Sequence, residues 1–244
     1  YLEDSEMIGR LIHAAWLGDH DASLVQEQLQ IKFTESLEQR HRLGRTVRKW
    51  PTTVDLVAGR LKEGWSRPDD VRALLVVLDC CTLPMGTVLL DELRRAEIPI
   101  NQARASLALE PTLTCISRKA LAAGRRPEET KEDAGFEPLF QTGPEDRLWR
   151  SFWHDSFDSR VITGKTVVAE QKLDTVRTLL GDPTSAAYFI VFNELDHLVH
   201  ASSDLTSMTY SDMVGIARRW MGEYLIPFLG EAVDRGWRIA VTSD

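Results

Sequence analysis

The chain has 244 residues, of which 43% are hydrophobic, and a formal net charge of −8. That size and apolar content fit one large domain, or one domain with an appendage, and the acidic balance argues against a generic duplex-DNA binder, whose affinity comes from Lys and Arg on phosphates. Phosphate esters stay open as substrates, because bound divalent cations reverse the local field.

Met7, Ile8, Leu11, Ile12 and Trp16 recur near the 3.6-residue period, and Val25, Leu29 and Phe33 continue the apolar stripe, so residues 1–66 are expected to be helical. Pro51-Thr52-Thr53-Val54-Asp55 reads as a helix restart closed near Gly64. This region is expected to pack as a helical bundle on the main domain, with partner binding as the other use. Arg67-Pro68-Asp69-Asp70 is a turn, and the pattern changes after it. Residues 73–79, Ala-Leu-Leu-Val-Val-Leu-Asp, form a short apolar run of the kind buried on both faces of a sheet.

A helix is expected over Met85 to Arg95, a brief strand over 105–109, and a helix over Thr114 to Ala123, closed by Gly124. Residues 125–143 are charged and rich in Pro and Gly, as in a surface excursion. Trp149, Phe152, Trp153 and Phe157 make an aromatic stripe at helical spacing, which reads as core ahead of a base-stacking surface. Lys172 to Leu180 reads as a helix, 187–193 as a second buried strand, Ser211 to Val233 as one long amphipathic helix, and 237–242 as a last strand. Strands alternating with helices predict an α/β domain over 70–244, with a mostly parallel sheet covered by helices on both faces.

Of the three cysteines, Cys80 and Cys81 are adjacent and Cys115 stands alone. No zinc-finger spacing or disulfide framework is present, which fits a reducing compartment. No apolar run of membrane-spanning length and no signal-peptide pattern occurs, so a cytoplasmic protein without a membrane partner is expected. The sequence opens on Tyr1, as expected of a piece of a longer protein.

Three apolar runs lead into an aspartate: Asp79, Asp196 and Asp244. Residues just past the carboxyl ends of strands in an open α/β sheet line one crevice, so these acids are expected to meet. Each has a plainer reading, Asp79 as a cap, Asp196 as a polar helix start, and Asp244 as a frayed end. Asp196 and His200 are spaced i, i+4 and share a face if that stretch is helical; both offer normal zinc-ligand atoms. Thr112 and Thr114 flank Leu113 where a helix begins. They read either as N-caps or as hydroxyls beside an anion site, and a threonine nucleophile needs a metal or base nearby. Cys115 reads as a small core residue, and His13, His20, His41 and His154 as surface or structural.

Taken together, these segments resemble the alkaline phosphatase superfamily and, within it, the PglZ-type proteins of bacterial phage-defence (BREX-like) systems. The resemblance covers roughly residues 70–244. Val76-Val77-Leu78-Asp79 is similar to the first strand with its metal-binding aspartate, and Glu110-Pro111-Thr112-Leu113-Thr114-Cys115-Ile116-Ser117-Arg118 to the Pro-Thr-x-Thr nucleophile motif followed by Ser-Arg. Asp196 to His200 resembles the Asp-x-x-x-His ligand pair, and Ala240-Val241-Thr242-Ser243-Asp244 the start of a strand-end Thr-Ser-Asp-His-Gly motif. The resemblance implies an alkaline phosphatase-like fold and a phosphodiesterase or phosphatase with Thr114 as nucleophile. It implies two divalent ions, zinc foremost: Asp79 and Asp244 hold one together with Thr114, and Asp196 and His200 belong to the other. The implied partners are a phosphate-ester substrate, including a nucleotide or nucleic acid, and other defence-system proteins.

The sequence ends at Asp244, before the histidine that follows in the motif and the later histidine of the second ion, and position 199 is Val where many relatives carry Gly. A domain truncated at its C-terminal end is therefore expected. The competing expectation is a noncatalytic scaffold that assembles a defence complex through residues 1–66. A plain nucleotide-binding domain is disfavoured, because Gly-x-Gly-x-x-Gly and Walker A patterns are missing.

Overall fold

The computed structural model describes residues 5–42, 52–55, 72–103, 106, 114–126, 145–153, 161–168, 173–204 and 208–244. The Pro111-Thr112-Leu113 segment, His154, Phe157, and most of the 43–66, 105–109 and 125–143 stretches lie outside them. Two helices, α1 (Ser5–Trp16) and α2 (His20–Arg42), come first. Strand β1 (Arg72–Leu78) leads to α3 (Leu83–Arg95), α4 (Thr114–Ala123) and α5 (Glu145–Trp153). Next come β2 (Val161–Val168), α6 (Leu173–Leu180), β3 (Ser185–Phe192) and α7 (Glu194–Asp204). The chain then runs through α8 (Tyr210–Trp220), a π-helical turn (Met221–Leu225), α9 (Ile226–Asp234) and β4 (Trp237–Thr242).

The four strands form one sheet in the order β2-β3-β1-β4, and every pairing is parallel. Every residue of β3, and every residue of β1 but Arg72, is buried, as the unbroken apolar runs require of central parallel strands. Successive side chains of β1 alternate between two cores. Leu74, Val76 and Leu78 join residues of α3, α6, α8 and α9 on one face, whereas Ala73, Leu75 and Val77 join α4 and α5 on the other. Trp149 and Trp153 are fully buried in the second core, where Trp149 packs edge-on against Trp153 and tilts against Phe189 of β3. The aromatic stripe is core.

Two expectations are corrected. A strand over 161–168 was not anticipated. Its pairing with β3 shifts register between Thr163 and Thr166, where Gly164 and Lys165 interrupt the apolar pattern. The single helix expected over 211–233 is broken by the π-helical turn, in which the Ile226 N–H reaches the Met221 carbonyl. Pro227 explains the widening: it has no N–H to donate and its ring crowds the preceding turn.

Helix α1 docks on α3 and α8. Gly9 permits the approach, because a Cβ there would lie 2.5 Å from Thr87 Cγ2 of α3. His13 Nδ1 lies 3.0 Å from the Tyr210 hydroxyl, and Trp16 meets the same ring edge-on. No helix among the described residues is long and apolar enough to cross a membrane.

Candidate functional site

The chain passes from β1 to the far edge strand β2, returns to β3, then crosses β1 to reach β4. Connections leave β1 and β3 in opposite directions, so the crevice outside their carboxyl ends is a topological switch point. Asp79 follows β1, Asn193 follows β3, and Asp244 lies two residues past β4. The Asp79 N–H continues the ladder by donating to the Phe192 carbonyl at 2.9 Å.

Arg118 of α4 joins two of the expected acids. Its guanidinium donates to Asp79 Oδ2 and to Asp244 Oδ2 at 3.1 Å, with all three side chains nearly out of solvent. A buried carboxylate needs such a partner, since desolvation otherwise drives it to the neutral form. Burial pushes the Asp244 carboxyl above its usual range, while the Arg118 charge and hydrogen bond and the Cys80 N–H pull it back. Asp79 is 2% exposed, and its other oxygen, Oδ1, is buried with no hydrogen-bond partner. Asn193 Oδ1 is likewise buried and unpartnered. Buried polar atoms left unsatisfied cost about 1–3 kcal/mol each, and these two follow directly on the adjacent strands β1 and β3.

Cys80 completes the cluster. Its φ of 61° is left-handed, uncommon outside glycine, and comes directly after the buried strand. The Cys80 thiol donates to Asp196 Oδ1 at 3.1 Å, and burial together with Asp196 pushes the thiol up to about 12. Ligand atoms of Asp79, Cys80 and Asp196 all lie within 4.8 Å of one another. On the first turns of α7, His200 Nε2 lies 3.4 Å from the same Asp196 oxygen, with its ring largely in solvent.

The crevice thus gathers Asp79 with Asp244 through Arg118, and Asp79 with Asp196, with His200 attached to Asp196. Thr114 does not belong to this hydrogen-bonded cluster. It is the first residue of α4 and exposed, one turn before Arg118 and hence on the same helix face. Thr112 lies outside the described residues. Cys115 is half-buried against the second core, and His13 has the structural role expected of it.

The fit to metal ions is uneven. Around a tetrahedral zinc, with bonds of about 2.0–2.3 Å, ligand atoms sit roughly 3.5 Å apart; the Cys80–Asp196 pair is already that close, and Asp79 offers a third ligand atom within 4.8 Å of both. These residues fit one ion. The Asp79–Asp244 pair, expected to hold an ion, is bridged by a guanidinium instead. Cys80 and Arg118 were missed as site residues; the adjacency of Cys80 to a strand-end aspartate was the available signal for one of them. No family model matches the chain, and no curated protein matches it in sequence.

Proposed function

We propose that the chain is the catalytic part of a metal-dependent phosphoesterase of the PglZ kind, with an alkaline phosphatase-like fold and Thr114 as nucleophile. The observation that carries this reading is the meeting of Asp79, Asp196 and Asp244 at the carboxyl edge of a parallel sheet, beneath the helix that starts with Thr114. A divalent ion, zinc foremost, held by Asp79 and Asp196, with His200 beside Asp196, would draw charge from phosphoryl oxygens and lower the pKa of a nearby hydroxyl. The free N–H groups at the start of α4 favour an anion, and Arg118 adds fixed positive charge below them.

Thr114 Oγ then attacks phosphorus, its proton passing to solvent. The ester P–O bond breaks and the departing alkoxide takes up a proton. Water attacks the phospho-threonine, the P–Oγ bond breaks, and Thr114 regains its proton as phosphate (from a monoester) or a phosphomonoester (from a diester) leaves. The substrate class is phosphate esters, nucleotides and nucleic acid among them, and the setting is a cytoplasmic defence complex.

Hydrolysis of an activated phosphodiester with added zinc tests the reading. Thr114→Ala is expected to lower turnover by at least ~10³-fold, as loss of a nucleophile does. Undiminished zinc-dependent turnover in that variant removes Thr114 from the mechanism. A second reading, a scaffold built on a degenerate phosphatase fold, is favoured by Arg118, which pairs with both Asp79 and Asp244 without any ion. Failure to bind zinc, together with a partner complex lost on deleting residues 1–66, would establish it.

A further inference from the structure

We infer that the crevice holds a single divalent ion with Cys80 as a thiolate ligand, and that Arg118 is the fixed second cation in place of a second metal. The inference deepens the phosphoesterase reading of the same centre and rests on it for the purpose of the ion. Three observations on different atoms lead to it. The guanidinium occupies Oδ2 of both Asp79 and Asp244, so an ion bridging these acids would have to expel a side chain that is nearly buried. An expelled arginine would leave its charge unpaired in the core, which is strongly unfavourable.

The remaining oxygen of Asp79 is buried and unpartnered in a residue 2% exposed. Asp79 belongs to the group in which Cys80 and Asp196 offer further ligand atoms, all within 4.8 Å of one another. Charge points the same way. Asp79, Asp196 and Asp244 set against the one guanidinium, with Cys80 as thiolate, leave three negative charges, which one divalent ion lowers to one. The thiol proton, donated to Asp196 in the absence of an ion, is released when the sulfur becomes a ligand. One sulfur among oxygen donors, with the His200 imidazole beside Asp196, selects zinc or cobalt over magnesium or calcium.

Cobalt(II) alone, titrated into the full chain and followed by calorimetry and absorbance, tests this. Binding is expected to saturate at one equivalent with a thiolate-to-cobalt charge-transfer band in the near ultraviolet. Cys80→Ser should abolish the band and weaken binding by at least the roughly 10–100-fold that even an outer-shell partner is worth. Arg118→Met should take up a second equivalent; if that variant does not fold, the unsubstituted chain and Cys80→Ser still decide. Two equivalents in the unsubstituted chain, no binding, or a band indifferent to Cys80→Ser overturns the inference. One thiolate-bound ion without phosphodiester hydrolysis would keep it and remove the phosphoesterase reading. Thr114-dependent hydrolysis with a sulfur-free cobalt spectrum would do the reverse.

Discussion

Each end of the central strand β1 is served by an arginine, and the two arginines meet different partners. At the amino end, Arg72 donates to the Ser185 carbonyl at 3.3 Å, to the Asp182 carbonyl and to the Arg235 carbonyl at 3.5 Å, and its guanidinium lies 4.7 Å from the centre of the Trp237 ring. Those acceptors are neutral, and they are the ends of the neighbouring strand and loops. At the carboxyl end, Arg118 meets two carboxylates, with a third beside them and one buried oxygen unsatisfied. The first arrangement closes the sheet. The second leaves negative charge and an open ligand position, which is how a site for a cation differs from a structural tie.

Removing the cation at each end should separate the two roles. Arg118→Met leaves two buried carboxylates without their counter-charge and is expected to cost on the order of 3–5 kcal/mol at neutral pH, read as a lower urea midpoint. The deficit should shrink as pH falls. An unpaired buried carboxyl has a raised pKa, so the folded state binds protons more readily than the unfolded chain and gains stability on acidification. A deficit that stays constant from neutral to acidic pH would mean that Arg118 acts by packing alone. Arg72→Met loses hydrogen bonds to carbonyls that water partly reaches, plus one cation–π contact, and is expected to cost about 1–2 kcal/mol. Cobalt binding and hydrolysis should not change. If Arg72→Met impairs ion binding as much as Arg118→Met disturbs it, the contrast between the two ends fails.

The contrast was only half legible in the sequence. Asp79, Asp196 and Asp244 could be placed because an apolar run precedes each of them, and topology then puts strand ends together. Arg118 could not. In Ile116-Ser117-Arg118-Lys119-Ala120 the charged pair looks like the solvent face of an amphipathic helix, yet both residues are buried. Tertiary packing against the strand-end acids overrides the pattern there, since an arginine enters a core when carboxylates await it. Edge strand β2 was hidden for another reason: Gly164 and Lys165 break its period at the point where its register shifts. The π-helical turn was hidden because a proline at 227 was compatible with a continued amphipathic stripe, which reports faces and not hydrogen-bond spacing.

A third arginine gives the exposed reference for the other two. Arg10 of α1 forms a two-pronged pair with Asp91 of α3, Nη2 to Oδ1 at 2.6 Å and Nη1 to Oδ2 at 3.2 Å, but both side chains remain substantially in solvent. Screened by water, such a pair contributes roughly 0.2–1 kcal/mol, the smallest of the three effects. The hydrogen bond from Arg10 holds the Asp91 carboxyl below its ordinary range, helped by the charges of Arg94 and Arg95 and opposed by partial burial. A depressed folded value means that the unfolded chain binds the proton first as pH falls. The contribution is therefore whole above the ordinary carboxylate range near pH 4 and disappears as pH drops through the folded value. A double-mutant cycle with Arg10→Met and Asp91→Asn should show this coupling at neutral pH, with added salt reducing it. Its acid dependence has the opposite sign to that of the Arg118→Met deficit: acid removes a benefit at the exposed pair and a penalty at the buried one. A coupling above about 2 kcal/mol at neutral pH, or one that survives strong acid, would show that α1 is held by more than a screened ion pair.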